Sequence, residues 1–388
     1  MRLVLGAYYL NLPGGAVTYF ATVADHLQRL GHEVTAFTHE PGPMAERLEA
    51  GGIAVVGPAR LPEACDAILV QDAPCSYDLA ERYPGVGQLF VSHGAEFDVE
   101  VPPQLPGVVE KVVVLNDRVR RRVEATALDA EVVRLTQPID FTRFVPLEAP
   151  RRPPRLAILL GNYLTGARLD AVTGALDEAG IAWRRLGRRA EVSDDPALEL
   201  NEADVVIGYG RSVLEGMSAG CAAYVDEFSA DGWVTAESYP ALEADGFAGT
   251  AFDTPPDVGR LARELAGYDP AMGTVNRELI VTRHSPFEHA KALAELLGGL
   301  APRPPERAVT AEMSRLVRLE WEAQLRATHY QREAREMQRR TMVAEERAVD
   351  AERRALEAEG RLAEIKGSAR YRLAQRLTAP LDRLRRRR

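Results

Sequence analysis

Short, unbroken apolar runs alternate with longer stretches of helical periodicity over about the first 145 residues. The run at 2–8 leads through a glycine-containing loop into a segment whose apolar residues, among them Val17, Phe20 and Val23, fall on one helical face. Further strands are expected at 34–37, 53–56, 67–70, 88–91 and 111–115. These runs lack the alternation of apolar and polar residues that a strand with one solvated face would have. The pattern predicts a parallel sheet with helices on both sides.

The same pattern restarts after a proline-rich break, PRRPP at 150–154. The second set of strands is expected at 155–160, 182–186, 204–207 and 222–225, with a polar loop at 231–235. A further break, APRPP at 301–305, introduces a segment rich in Glu and Arg. We therefore predict two Rossmann-like domains that face a cleft, followed by two appended segments. The expected ranges are 1–149 and 150–300 for the domains, 306–366 for a helical coiled-coil segment and 367–388 for a basic tail.

The composition excludes several classes of protein. A hydrophobic fraction of 46% is enough for a sizeable core, and a net charge of −9 argues against a nucleic-acid partner. Three cysteines without C-x-x-C spacing are typical of buried thiols in a reducing compartment. The chain has no apolar stretch near the roughly 18 residues of a membrane span, and its first apolar run is too short for a signal peptide. No His or Cys cluster has metal-ligand spacing. We therefore expect a cytoplasmic protein without a metal site.

A glycine pair, Gly14–Gly15, lies between the first expected strand and the first helix. Glycine allows a close backbone approach, and a helix N-terminus attracts anions, although a plain tight turn explains the pair equally well. The surrounding run PGGAVTYFATVADHLQRLGHEVTAF resembles the opening of the family-four glycosyltransferases, which have the GT-B fold. In that family the glycine loop lies against the donor diphosphate and the acceptor. The resemblance implies the same place for Gly14 and Gly15.

A second stretch, ADVVIGYGRSVLEGMSAG at 203–220, resembles the donor-site strand, turn and helix of that family. A strand runs into a glycine turn, and we expect a helix to begin near Ser212, a good N-cap. Its free amides and dipole would face a diphosphate, Arg211 would add charge-assisted hydrogen bonds, and Glu215 would accept hydrogen bonds from ribose hydroxyls. The alternative is a solvated Arg211 and a Glu215 that only complements the dipole. The predicted donor-binding residues of this stretch are Gly210, Arg211, Ser212, Val213 and Glu215.

Two more stretches match the family in order, VVVLN at 112–116 and TQPIDFTRF at 136–144, the latter resembling its interdomain segment. His93 follows the strand at 88–91, where similar enzymes have a histidine that touches the transferred sugar. Strand ends that face a cleft are where a polar catalytic group belongs. His93 is therefore the candidate catalytic residue, as a hydrogen-bonding group or as a base, with a purely structural histidine as the alternative.

Two positions depart from the family pattern. The family carries a Glu eight residues before the one that matches Glu215, and this chain has Ile207 there. The family also carries an Arg and a Lys after the first strand of the second domain, whereas the stretch GNYLTGAR at 161–168 contains no lysine. Arg168 or Arg211 could substitute for the lost charge. These departures leave the retaining stereochemistry, and activity itself, open.

The last part of the chain carries two patterns of its own. Apolar residues alternate at spacings of four and three, which is typical of a coiled-coil seam and consistent with a homodimer, although a single solvated helix explains it as well. The seam consists of Ala344, Ala348, Ala351, Ala355, Ala358, Leu362, Ile365 and Ala369. From Lys366 to Arg388, nine cationic side chains and one acidic one accompany leucines at helical spacing. That pattern favours binding to an anionic membrane surface over a solvated terminal helix.

Together with the resemblance, these patterns predict a metal-independent glycosyltransferase. It would move a sugar from a nucleotide diphosphate sugar to a glycan or lipid-linked acceptor in bacterial cell-envelope polysaccharide synthesis, with no cofactor. It would be cytoplasmic, or peripheral on the inner face of the membrane. A catalytically inactive scaffold is the first alternative, and Ile207 and the missing lysine favour it. A nucleotide-sugar epimerase on the same architecture is the second, although its expected acid and base residues are not evident.

Overall fold

The computed structural model describes residues 1–11, 14–94, 97–126, 128–147, 151–161, 164–187, 193, 195–226, 230–252, 259–301 and 313–328, with isolated positions 353, 354, 361 and 364. Residues 313–328 are helical. Apart from those isolated positions, the predicted seam at 344–369 and the basic tail at 367–388 lie outside the described residues and stay predictions.

The first sheet consists of seven parallel strands in the order β3-β2-β1-β4-β5-β6-β7. The strands are β1 (Arg2–Gly6), β2 (Glu33–Phe37), β3 (Ala54–Val56), β4 (Ala67–Val70), β5 (Gln88–Ser92), β6 (Lys111–Val114) and β7 (Glu131–Arg134). The winding direction reverses between β1 and β4. Sheets of this kind bind ligands outside the carboxyl ends of the strands, at the point of reversal.

Helices cover both faces of this sheet: α1 (Gly15–Arg29), α2 (Pro43–Ala50), α3 (Ala73–Arg82) and α4 (Asp117–Glu124). Leu3 and Leu5 of β1 enter the core beneath α1 and α2, whereas Val4 enters the core beneath α3 and α4. Because successive strand residues point to opposite faces, a strand covered on both sides needs apolar residues at every position. This requirement explains the unbroken apolar runs of the sequence.

The second sheet has the order β12-β11-β10-β8-β9, and all of its pairs are parallel except β11 with β12. Its strands are β8 (Leu156–Leu160), β9 (Ala182–Leu186), β10 (Val205–Gly208), β11 (Ala222–Asp226) and β12 (Ala230–Trp233). The polar loop expected at 231–235 is wrong, because most of it belongs to the edge strand β12. The helices that follow are α5 (Gly166–Glu178), α6 (Pro196–Leu200), α7 (Arg211–Ser218), α8 (Tyr239–Asp245), α9 (Arg260–Leu265), α10 (Ala271–Arg283) and α11 (Pro286–Gly298).

The chain passes between the two sheets twice. Ile139 and Phe144 already belong to the core of the second sheet, and α11 returns to the first core through Ala290, Leu293 and Leu297. We call the first sheet with α1–α4 and α11 lobe 1, and the second sheet with α5–α10 lobe 2. Among the described helices, none combines the length and apolar character needed to cross a membrane.

The two crossings are tied to each other by a pair of buried histidines. The Nδ1 atoms of His284 and His289 donate to the carbonyl oxygens of Gln137 (2.7 Å) and Thr136 (2.9 Å). The Nε2 atom of each ring therefore accepts, from the Tyr239 hydroxyl at 2.7 Å for His284 and from the Tyr19 hydroxyl at 2.8 Å for His289. Burial is the main cause that lowers the pKa of both histidines to about 4, so both rings are neutral near pH 7.

Candidate active site

A cavity of about 560 Å³ lies between the carboxyl ends of the strands of the two lobes. Its size is in the range of small-molecule sites. The predicted residues that line it are Gly14, Gly15 and His93 from lobe 1, and Gly210, Arg211, Ser212 and Glu215 from lobe 2. The cavity therefore brings together residues that are far apart in the sequence, from Gly14 to Glu215. Val213 does not line it: its side chain is fully buried in the core of lobe 2.

The helix α7 opens onto this cavity through a glycine turn. Gly210 is its N-cap, with φ of 55°, and the Gly210 amide donates to the carbonyl of Phe247 at 2.7 Å. The helix begins at Arg211, within one residue of the predicted start, but the predicted N-cap at Ser212 is wrong because Gly210 holds that position. Within the described part of the chain, the backbone amides of Arg211 and Ser212 have no hydrogen-bond partner. These amides are free to bind an anion.

Arg211 is buried at the base of α7, with 8% of the residue exposed. Its Nε donates to Oε1 of Glu215 at 2.8 Å, and its Nη1 donates to the carbonyl of Pro138, on the first crossing, at 3.0 Å. The third guanidinium nitrogen, Nη2, is buried without a partner among the described residues. The alternative of a solvated Arg211 is therefore wrong. A buried donor that lacks an acceptor costs free energy in the folded state, so Nη2 is a position where a ligand oxygen would be favourable.

Glu215 lies one helical turn after Arg211 and is 9% exposed. The ion pair with Arg211 fixes Oε1 of its carboxylate, an arrangement that the sequence reasoning did not foresee. A hydrogen bond donated by a ribose hydroxyl to the Glu215 carboxylate stays a prediction.

His93 follows β5 and faces the cavity from lobe 1. Its Nε2 lies 3.0 Å from Oε1 of Gln71, and its ring packs edge-to-face against Tyr19 with centroids 4.6 Å apart. Since Gln71 presents an oxygen, His93 donates from Nε2 and keeps Nδ1 as an acceptor. Burial, reinforced by the Arg211 guanidinium, lowers the pKa of His93 to about 3. A neutral ring of such low basicity suits hydrogen bonding better than proton abstraction.

Comparison with known proteins identifies the architecture. No protein-family profile and no curated protein matches the sequence. Among solved structures, a glycosyltransferase from Rickettsia africae is 14% identical, with a TM-score of 0.52 over 76% of this chain and 97% of its own. Anabaena HepE in complex with UDP and glucose is 12% identical, with a TM-score of 0.56 over 77% of this chain and all of its own. WaaG, a glycosyltransferase involved in lipopolysaccharide biosynthesis, is 13% identical, with a TM-score of 0.50 over the same shares.

The chain has the GT-B fold. The predicted arrangement of two α/β sheets around a cleft is thereby confirmed. At 12–14% identity the likeness extends to the fold and no further.

The structure shows where the residues that depart from the family pattern lie relative to the cleft. Ile207 is fully buried in β10, within the core of lobe 2, and does not line the cleft. Arg168 does not line it either, because its Nε donates to Asp226 at 2.5 Å. Arg168 is therefore the wrong candidate for replacing the lost charge. Of the two arginines that the sequence offered, Arg211 alone lies at the cleft.

Sequence reasoning missed Arg118, which lines the cleft from lobe 1. It occupies the first turn of α4, which Asn116 caps by accepting from the amide of Val119 at 2.8 Å. The Arg118 guanidinium forms no hydrogen bond or ion pair with any residue that the structure describes, and its Nε is buried. The signal was present in the sequence as a cation in the first turn of a helix, where the dipole disfavours it.

No group of three metal-binding side chains occurs within the described ranges. The cationic character of the cleft comes instead from helix openings and arginines. The N-termini of α1, α4 and α7 all border it, through Gly15, Arg118 and Arg211. Each carries a partial positive charge. The arrangement is suited to a ligand with several negative charges.

Proposed function

We propose that this chain is a glycosyltransferase that takes a sugar from a nucleotide diphosphate sugar. The single observation that carries the proposal is the opening of α7. Arg211 and Ser212 both line the cleft between the lobes, and among the described residues neither their backbone amides nor the buried Nη2 of Arg211 has a hydrogen-bond partner. Phosphoryl oxygens supply the acceptors that all three donors lack.

The chemistry follows from where the charge develops. The bond between the anomeric carbon and the terminal phosphate oxygen of the donor breaks, and an acceptor hydroxyl oxygen bonds to that carbon. The hydroxyl proton passes to the departing diphosphate or to water. The departing nucleoside diphosphate gains negative charge, which the α7 amides and Arg211 stabilise as preorganised donors. We extend the proposal to a reaction without a metal or cofactor, because these groups act on the leaving group directly.

The wall of lobe 1 has a complementary part in the proposal. Apart from Gly14 itself and its neighbours along the chain, no described residue has an atom within 4 Å of the place where a Cβ of Gly14 would stand, so the glycine loop leaves room for substrate. The Nδ1 acceptor of the neutral His93 binds a hydroxyl of the transferred sugar rather than abstracting a proton. His93 is thus proposed as a substrate-contacting catalytic residue.

The acceptor is proposed to be a glycan or a lipid-linked sugar of the bacterial cell envelope. HepE has been crystallised with UDP and glucose, and WaaG is involved in lipopolysaccharide biosynthesis, which makes this class of reaction the first to test. A cytoplasmic location, membrane binding through the tail at 367–388 and a dimer through the seam at 344–369 remain part of the proposal. The division into domains at 1–149 and 150–300 is kept with two exceptions, because Ile139 and Phe144 pack in the core of lobe 2 and α11 packs in the core of lobe 1.

A non-catalytic scaffold is the second candidate, and the burial of Ile207 outside the cleft is the observation in its favour. Calorimetric titration with UDP, GDP, ADP and dTDP, followed by a hydrolysis screen over the corresponding nucleotide sugars, separates the two. The transferase proposal predicts micromolar to millimolar binding of at least one nucleotide, and hydrolysis or transfer of its sugar. Binding of none of the four would refute it, whereas binding without turnover of any sugar would favour the scaffold.

The matched variants for this experiment are Arg211→Met and Arg263→Met. Both remove one guanidinium from lobe 2, but Arg263 is exposed on α9 and does not line the cleft. Arg211→Met should weaken nucleotide binding by about ten-fold or more, the cost of a lost charge-assisted hydrogen bond. Arg263→Met should bind as the unaltered chain does. Equal affinities of the two variants would contradict the role of Arg211.

A further inference from the structure

Arg118 is a cleft residue whose position has no structural explanation within lobe 1. It lines the wall formed by the loop after β6 and the first turn of α4, and it has no partner among the described residues. Two neighbours on the same helix behave differently. Arg120 pairs with Glu124 at 2.7 Å, and Arg122 pairs with Asp98 at 2.5 Å.

The position of Arg118 is unfavourable for the folded chain on its own. A cation in the first turn of a helix is repelled by the positive end of the helix dipole. The buried Nε has also lost its water without gaining an acceptor. A carboxylate or an uncharged polar side chain would avoid both costs. A ligand that supplies negative charge beside Arg118 would offset both costs, and this accounts for an arginine at the position.

The cleft presents a second cation of the same kind on its opposite wall. Nη2 of Arg211, in lobe 2, is likewise buried without a partner in the described part of the chain. Both arginines border the same cavity of about 560 Å³. Two half-satisfied guanidinium groups on facing walls match a ligand with at least two negative charges placed between them.

We propose that Arg118 binds the diphosphate of the donor from lobe 1 while Arg211 and the α7 amides bind it from lobe 2. The inference rests on the proposed function and names a substrate-binding residue for it. The diphosphate then bridges the lobes, so that binding of the donor also holds the cleft closed. The specificity is for the second phosphate, because a diphosphate can place one phosphoryl group against each arginine, whereas a nucleoside monophosphate offers a single group to both walls.

The test is calorimetric titration of the full chain and of Arg118→Gln with UDP, UMP and uridine, or with the GDP, ADP or dTDP series if one of those binds better. Arg118→Gln should lower the affinity for the diphosphate by about ten-fold or more and the affinity for the monophosphate by less than about three-fold. It should leave the affinity for the nucleoside unchanged. The matched control is Arg121→Gln, which replaces an exposed arginine on the same helix. This variant should bind all three ligands with the affinity of the unaltered chain.

Thermal unfolding separates a binding role from a structural one. Because Arg118 is repelled by the dipole and has no partner in the part of the chain that the structure describes, Arg118→Gln should keep or raise the Tm, whereas loss of a structural contact would lower it. Unchanged diphosphate affinity, or an equal loss for diphosphate and nucleoside, would overturn the inference and leave the proposed function standing. If the full chain binds no nucleoside diphosphate at all, the proposed function and the inference fail together. If only a phosphate-bearing acceptor loses affinity, the charge belongs to the acceptor and the inference is overturned.

Discussion

Replacing Arg211 by methionine should leave the Glu215 carboxylate buried without its partner. The pair is short, at 2.8 Å, and its side chains are only 6% and 11% exposed. Removing one member of a buried ion pair costs about 3–5 kcal/mol, because the remaining charge stays desolvated. The pair belongs to a compact unit of 322 residues, Met1–Glu322. An unfolding entropy of about 2.1 cal/mol/K per residue then converts this cost to a fall in Tm of roughly 4–7 °C.

The double variant Arg211→Met/Glu215→Gln separates this structural cost from the ligand-binding role. It removes both charges, so its free energy of unfolding should return to within about 1 kcal/mol of the unaltered chain. Its affinity for a nucleoside diphosphate should stay at least about ten-fold reduced, because the Arg211 guanidinium that binds the phosphate is still missing.

Differential scanning calorimetry and titration calorimetry on the same samples provide both measurements. The control is Arg120→Met/Glu124→Gln, a pair with the same i,i+4 spacing whose side chains are 45% and 46% exposed. It should change neither Tm nor nucleotide affinity measurably. The reasoning is refuted if Arg211→Met melts with the unaltered chain, or if the double variant recovers diphosphate affinity together with stability.

Three further predictions concern the frame around the cleft. Gly208→Ala would bring a Cβ to 2.4 Å from the Leu160 carbonyl oxygen, so this variant should unfold at a temperature lower by several degrees. The control is Gly174→Ala, whose added Cβ on helix α5 meets no described atom within 4 Å beyond its own helix backbone and chain neighbours. It should be neutral or stabilising in the same melting assay. Tyr239→Phe removes the donor to Nε2 of His284 and should cost about 1–2 kcal/mol in urea unfolding; an unchanged midpoint would show that this bond does not hold the crossings. The folded pKa values of His93, His284 and His289 lie below the usual value of about 6.5, so the unfolded chain binds more protons between about pH 3 and 6.5. These histidines therefore contribute stability that rises with pH through that window. NMR titration should find at least three imidazoles still neutral at pH 6, and titration of all seven near 6.5 would contradict the assignment to His93, His284 and His289.

The main features of the fold could be predicted from the sequence because burial on both faces of a sheet leaves a local signal. Strands such as β4 and β6 are apolar at nearly every position, and the predicted ranges agree with the observed ones within a residue or two. The edge strands lack this signal. In β7 the sequence EVVR is short and flanked by charges, and in β12 Asp231 and Gly232 look like a turn, so the first was missed and the second was assigned to a loop.

The partners of charged side chains could not be predicted, because they depend on tertiary distances. Arg168 looked like a candidate phosphate ligand from its position after β8, yet Asp226, on β11, binds it. Arg118 belonged to a run of arginines in which Arg120 and Arg122 have carboxylate partners and Arg118 has none among the described residues. Local sequence identifies a cation, and the fold determines whether it is neutralised.

Positions with strong local constraints were predicted more closely. The glycines of the turn before α7 indicated where the helix would start, with an error of one residue that arises from the φ of 55° at Gly210. The four cleft residues predicted from that motif lie together because a strand, a tight turn and a helix leave little freedom for their placement. Val213 was the exception, since its place in the helix turns it toward the core.

The central claim is that phosphoryl groups bind at the opening of α7, between the lobes. A crystal structure of the chain with UDP, or with whichever nucleoside diphosphate binds best, tests it most directly. The account predicts phosphate oxygens within hydrogen-bond distance of the Arg211 and Ser212 amides and of Nη2 of Arg211. A nucleotide bound elsewhere on the chain, or bound in the cleft with its phosphates turned away from these three donors, would contradict it.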